Sequence, residues 1–141
     1  MALDLVVLEH TVDFAARPAV VYDALMDSKK HATFTGMRAK LSARVGGRFE
    51  TCGDYNFGFN LALEPGARIV QAWSHKALPP GHYTIAEFEL APTKKGTRLH
   101  FRQIGVPARD ADWLNRGWSE TYWQPLALFF DQTTKPRRER N

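Results

Sequence analysis

Cysteine is nearly absent from the sequence, since Cys52 is the one cysteine among 141 residues. A single thiol cannot form an internal disulfide, which excludes the disulfide-rich class of small secreted domains. No apolar run approaches the roughly 20 residues that a transmembrane helix needs. Asp4 and Glu9 flank the first apolar run, which lacks the basic start of a signal peptide. We therefore expect a cytoplasmic protein with no membrane partner.

The sequence also lacks the motifs of several large enzyme classes. It contains no G-x-S-x-G elbow, no Walker A loop and no dinucleotide-binding G-x-G-x-x-G. The five histidines show no H-E-x-x-H or other compact ligand spacing. Ser74 and His75 are adjacent, so in a strand their side chains point to opposite faces and form no dyad. We expect no catalytic residues, no metal and no cofactor, and binding is favoured over catalysis.

The net positive charge is small outside the last seven residues. The formal net charge is +4, and residues 135–141 contribute +3 of it, from four basic residues and Glu139. A terminal basic cluster without a basic stripe on the remaining chain is typical of a solvated tail. The sequence predicts one domain over residues 1–134, a disordered tail over 135–141, and no nucleic-acid partner.

What the sequence does contain is a regular succession of short strands with two helices after the first. A strand is expected over residues 5–14 and a helix from Pro18 to Met26. A second helix, capped by Asp27 or Ser28, is expected to run to about Ala32, with Gly36 as the helix breaker. Glycine and proline turns then separate six more segments with strand-like alternation, at residues 37–45, 48–52, 57–63, 68–74, 83–91 and 97–104. This order predicts a strongly curved antiparallel sheet.

The last element has helical spacing. Leu114, Trp118, Tyr122 and Phe129 belong to a wide apolar stripe, and Leu128 extends it. The predicted helix also contains Pro125 and Gly117, which cost about 3 and about 1 kcal/mol in a helix interior relative to alanine. We expect a long helix, kinked at Pro125, that is stable because the sheet packs against it.

Large rings are unusually frequent among the residues that alternation directs toward this helix. A curved sheet and a single helix need not close at both ends, and a remaining cleft would suit an apolar ligand. Tyr55 is a further polar candidate at such a cleft, whereas Glu87, Glu89 and His100 are expected to face solvent. The predicted lining comprises Met37, Phe49, Thr51, Phe57, Phe59, Leu61, Trp73, Phe88, Phe101, Gln103, Trp118 and Tyr122.

Several ordered segments resemble the domain found at the C-terminus of the activator of the heat-shock protein 90 ATPase, in the START-like (SRPBCC) superfamily. They are Phe34–Met37, Val45–Phe49, Trp73, Pro80–Tyr83, Gly105–Pro107 and Gly117–Trp118. The resemblance implies an α+β helix-grip fold, in which about seven antiparallel strands wrap a long C-terminal helix. It also implies a link to chaperone regulation and the stress response.

Three functions remain open from the sequence. The first is a non-enzymatic binding protein that docks a heat-shock protein 90 type chaperone or holds a small hydrophobic ligand between sheet and helix. The alternative is a small cavity enzyme of the polyketide cyclase or aromatase type, which would need a buried polar residue with a shifted pKa. The third is a structural module with no ligand.

Overall fold

The computed structural model describes residues 4–134, so the predicted basic tail at 135–141 lies outside the described residues. The first half contains β1 (Leu5–Phe14), α1 (Pro18–Met26), α2 (Ser28–Thr35), β2 (Lys40–Leu41), β3 (Arg48–Thr51) and β4 (Asn56–Glu64). The second half contains β5 (Arg68–His75), β6 (Thr84–Thr93), β7 (Gly96–Pro107), a 3₁₀ turn (Ala108–Asp110), α3 (Ala111–Gly117), a π-helical segment (Trp118–Trp123) and α4 (Gln124–Thr134).

The seven strands form one antiparallel sheet in the order β1-β7-β6-β5-β4-β3-β2. Only the β1–β7 pairing joins strands that are distant along the chain, and it places the first and last strands side by side. The region from α3 to α4 packs on one face of the sheet, which we call the inner face; the opposite one is the outer face. Phe101 on β7 lies 4.3 Å, centroid to centroid, from Trp118. The predicted helix-grip architecture is confirmed.

The first short helix has the predicted bounds, and the second continues to Thr35, beyond its predicted end near Ala32. Pro18 occupies the first turn of α1, where its missing N–H leaves no helical hydrogen bond unmade. The Asp27 side chain accepts a hydrogen bond from the Lys30 backbone N–H at 3.0 Å and caps α2. Gly36 ends α2 in the left-handed conformation, with a φ of 75°.

The predicted orientation of β4, with Phe57 and Phe59 on the buried face, is wrong. Phe57 and Phe59 contact Tyr83 on the outer face, and Phe59 is 37% exposed. Gly58 faces inward because the ring of Phe49 lies over it; a Cβ on Gly58 would lie 2.8 Å from that ring's Cζ. Asn60 is also buried there, because its amide donates to the Ser42 and Arg44 carbonyls and holds the loop before β3. An apolar alternation therefore faces outward.

Two further predicted features of the sheet edge are wrong. The segment predicted as a strand over 37–45 pairs only at Lys40–Leu41, because residues 42–47 form a loop held by β4. Val45 and Met37 are consequently exposed. Leu61 is exposed as well, since it lies at an irregularity between Asn60 and Ala62 where the register with β5 shifts.

The C-terminal region is not one regular helix. A π-helical segment ends two residues before Pro125, a residue that has no N–H and clashes with the preceding turn of a regular α-helix. The wider turn changes which residues face the sheet afterwards. Leu126 and Phe130 are fully buried, whereas Leu128, expected on the buried stripe, is 63% exposed.

Candidate functional site

A cavity of about 140 Å³ lies between the inner face and the start of the C-terminal helical region. It is lined by β3–β4 turn residues, by the ends of β5, β6 and β7, and by α3 and the π-helical segment. The lining residues are Cys52, Tyr55, Asn56, Trp73, His75, Thr84, Gln103, Trp113, Leu114, Gly117, Trp118, Thr121 and Tyr122. None of these described residues is charged, and most of the lining is aromatic or aliphatic.

Three rings form a cluster at the solvent side of the cavity. Tyr55 stacks on His75 with centroids 5.6 Å apart and planes 13° apart. Trp113 on α3 lies 5.6 Å from His75 and 6.2 Å from Tyr55. Trp113 is 47% exposed whereas His75 is only 6% exposed, so Trp113 covers the histidine and borders the mouth. We call Tyr55, His75 and Trp113 the mouth cluster.

His75 is unusual because both of its ring nitrogens are buried and neither has a hydrogen-bond partner among the described residues. Burial lowers the pKa of His75 from its ordinary value, an effect that the Asp110 carboxylate opposes and His82 strengthens. Oδ2 of Asp110 is likewise buried without a partner in the described part of the chain. Buried polar groups in folded proteins are nearly always hydrogen-bonded, so an unpaired imidazole beside a cavity is a functional signal.

The remaining buried polar groups of the cavity wall are paired with one another. Trp118 donates from its indole N–H to Oε1 of Gln103 at 2.9 Å, and the Gln103 amide donates to Thr84 Oγ1 at 2.8 Å. Thr84 in turn donates to the Trp73 carbonyl at 3.1 Å. This chain fixes the rotamers of the Trp118 indole, the Gln103 amide and the Thr84 hydroxyl, so this part of the wall is ordered before any ligand binds.

A second buried chain of hydrogen bonds lies behind the cavity. Nδ1 of His31 is 3.0 Å from the Leu25 carbonyl oxygen, which can only accept, so Nδ1 carries the proton. Nε2 of His31 therefore accepts from the Tyr122 hydroxyl at 2.9 Å. Tyr122 Oη is also 3.3 Å from Oγ1 of Thr51, which lies 3.2 Å from the Asn56 amide. We call this chain the His31–Tyr122 relay.

Burial dominates the titration behaviour of the relay. It lowers the pKa of His31 to about 4, against a smaller opposing effect of the hydrogen bond to Leu25. It also raises the pKa of Tyr122 far above its ordinary value. Both groups are therefore neutral at physiological pH, as the hydrogen-bond directions require.

The structure distributes the twelve predicted lining residues over three places. Trp73, Gln103, Trp118 and Tyr122 line the cavity. Phe49, Thr51, Phe88 and Phe101 are buried in the core around it, where Thr51 reaches the cavity wall through Tyr122. Met37, Phe57, Phe59 and Leu61 lie away from it, because of the β4 orientation and the loop after α2 described above.

His75 is the most informative residue that sequence reasoning missed. In the sequence its one distinguishing feature is its position beside Ser74, and the two residues form no catalytic pair. Strand alternation places residues two apart on one face, and this relation links His75 to the inward Trp73. Trp113 was missed because it stands outside the apolar stripe of the helix. Nothing in the sequence shows that the 3₁₀ turn and α3 hold it over the end of β5.

The sequence matches known proteins over most of its length. The model of the family described as Activator of Hsp90 ATPase homolog 1-like protein matches residues 15–131. The chain belongs to this family. Human activator of 90 kDa heat shock protein ATPase homolog 1 is 26% identical over 117 residues, and its Dictyostelium discoideum homologue is 24% identical over 124. The matches cover 83% and 87% of this chain, but only 35% and 32% of those relatives, so the chain spans about a third of their length.

Solved structures show the same fold. An HSP90 activator from Plasmodium falciparum superposes with a TM-score of 0.79 at 21% identity, covering 86% of this chain and 94% of that one. A protein from Chromobacterium violaceum gives a TM-score of 0.73 at 26% identity, covering 89% and 97%. The family and the START-like fold expected from the sequence are thereby confirmed.

Residues 4–134 contain neither a cluster suited to a metal ion nor a helix suited to crossing a membrane. No group of three or more histidine, cysteine, aspartate or glutamate side chains is placed to hold a metal ion. None of the helices there combines the length and apolar character needed to span a bilayer.

Proposed function

We propose that this family member binds a small apolar molecule in the cavity between the inner face and the C-terminal helical region. The observation that carries the proposal is the cavity itself, about 140 Å³ in volume with an uncharged, mainly aromatic lining. Small-molecule sites have this character: an apolar concave surface with a few fixed polar groups. The hydrogen-bonded wall supports binding further, because a pre-formed site avoids the entropic cost of ordering side chains.

Native mass spectrometry of the purified chain tests this proposal. We expect a co-purified small molecule, or a rise in melting temperature with small apolar compounds. Leu114→Trp, which places a larger ring in the lining, should abolish either signal. Leu128→Trp is the matched control, because Leu128 lies 63% exposed on α4. Absence of any bound compound, or equal binding by Leu114→Trp, would contradict the proposal.

A second candidate function is docking to a heat-shock protein 90 type chaperone, which the names of the curated relatives suggest. The observation in its favour is the aromatic patch of Phe57, Phe59 and Tyr83 on the outer face. Phe59 is 37% and Tyr83 is 40% exposed. Exposed apolar patches of this kind are common at protein-binding sites.

Pull-down of a purified chaperone of that type tests this second function. Phe59→Ser should weaken capture, whereas Val7→Ser should not, because Val7 is exposed on β1 at the opposite edge of the sheet. Capture that is equal for wild type and Phe59→Ser would show that the patch is not the docking site.

A further inference from the structure

The unpaired imidazole of His75 is the starting point for a statement about the ligand. Within the part of the chain that the structure describes, the buried side-chain nitrogen and oxygen atoms without a partner belong to His75 and Asp110. Of these two residues, His75 lines the cavity. Gln103, Thr84 and Tyr122, which share the lining, are already hydrogen-bonded. His75 is therefore the lining residue that offers a bound ligand buried polar atoms with no partner in the described part of the chain.

The cavity volume suits a single ring. An apolar protein cavity of about 150 Å³ holds one benzene molecule, and the volume here is about 140 Å³. Flat partners for such a ring are present on several sides: Trp73 and Trp118 on the inner side, and Tyr55 and Trp113 at the mouth. Offset and edge-to-face packing against these rings would favour an aromatic ligand over an aliphatic one of equal size.

The chemistry of the lining limits the ligand's polar group. No charged side chain is present among the described lining residues, so an ionised ligand would lose its hydration without a counter-ion. Neutral imidazole offers one N–H donor and one acceptor nitrogen. A hydroxyl group can donate to that acceptor and is itself uncharged.

Resting on the proposed function, we infer that His75 recognises the hydroxyl group of a neutral, single-ring aromatic ligand, that is, a phenol. The ring of the ligand packs among the indoles and Tyr55, and its hydroxyl hydrogen-bonds a nitrogen of His75. The mouth cluster then acts as both wall and recognition element. Trp113 borders the entrance and is the ring that has to shift if the mouth opens.

Phenol and toluene test the inference as a matched pair, because they have the same number of heavy atoms and differ in the hydroxyl. Their dissociation constants are measured by titration calorimetry for wild type, His75→Leu and His75→Gln. The ratio of the toluene constant to the phenol constant should fall about tenfold in His75→Leu, as expected for the loss of one buried hydrogen bond. His75→Gln, close in volume to histidine and still a donor and acceptor, should retain part of the preference. His100→Leu, on the outer face, is the control.

The outcomes separate this inference from the function on which it rests. If both probes bind wild type and the ratio is unchanged in His75→Leu, the cavity binds ligands but His75 does not recognise the hydroxyl, and the inference is overturned. If neither probe binds wild type at millimolar concentration, the inference and the proposed binding of small apolar molecules both fail. Circular dichroism of His75→Leu and His75→Gln confirms that each variant is folded before its constants are compared.

Discussion

Two buried histidines lie against the C-terminal helical region, and their surroundings are opposite in kind. His31 is 2% exposed, and each of its ring nitrogens has a partner in the His31–Tyr122 relay. His75 is 6% exposed, and neither of its nitrogens has a partner among the described residues. The comparison separates a polar group that stabilises the fold from one that the fold leaves available. Unpaired buried groups cost stability, so they persist where function requires them.

The largest expected effect is the loss of stability when a tyrosine is removed from the His31–Tyr122 relay, compared with the loss when one is removed from the mouth cluster. Tyr122→Ala should destabilise the protein by about 3–5 kcal/mol, as for other large buried rings, because Tyr122 is 3% exposed and holds the relay together. Tyr55→Ala should cost only about 1 kcal/mol, because Tyr55 is half-buried and its main contact is one stacked ring. Urea denaturation of both variants measures the difference. Equal losses would mean that the mouth cluster is as structural as the relay.

The positions of these two regions were predictable to different extents. The succession of strands along the chain, the inward Phe49, Phe88 and Phe101, and the burial of Trp118 follow from alternation and helical spacing, which depend on local sequence. The pairing of β1 with β7 does not follow from these local patterns. The mouth cluster joins residues from the β3–β4 turn, the end of β5 and the start of α3. Its assembly depends on how the 3₁₀ turn returns the chain to the sheet, and no local pattern encodes that.

The failures on β4 and α4 have a related cause. Apolar alternation predicts which residues share a face but not which face is buried. Gly58 occupies an inward position on β4, where a side chain would collide with the Ala72 carbonyl and the Phe49 ring. On α4 the π-helical segment inserts extra backbone before Pro125, so Leu126 and Phe130 replace Leu128 on the buried side. Each correction arises from a tertiary contact or a backbone irregularity.

Lowering the pH should destabilise the protein, because His31 in the relay resists protonation in the folded state. The pKa of His31 is about 4 in the folded protein and about 6.5 when unfolded, so between these values the unfolded chain binds the proton and the folded protein does not. Stability is therefore complete above about pH 6.5 and falls as the pH decreases toward 4. The difference between the two pKa values corresponds to a loss of about 3 kcal/mol.

Urea denaturation at several pH values between 7 and 4 measures this loss. The lowered pKa of His75 acts in the same direction, so the two histidines are separated by variants. His31→Leu should remove most of the pH dependence, His75→Leu should remove a smaller part, and His100→Leu, on the outer face, should keep it. A slope that survives in His31→Leu would assign the acid sensitivity to other groups.

The smallest expected effect is the change in the free energy of unfolding when each buried histidine is replaced by leucine. This change should have opposite signs for the two histidines. His75→Leu should stabilise the ligand-free protein by about 1 kcal/mol, because it replaces two unpaired buried nitrogens by an apolar group of similar volume. His31→Leu should instead destabilise it by about 1–3 kcal/mol, because the Leu25 carbonyl and the Tyr122 hydroxyl lose their partner. Both free energies of unfolding are measured at pH 7, where both histidines are neutral. If His75→Leu proved as destabilising as His31→Leu, the imidazole would already be satisfied within the fold and would have no free nitrogen to offer a ligand.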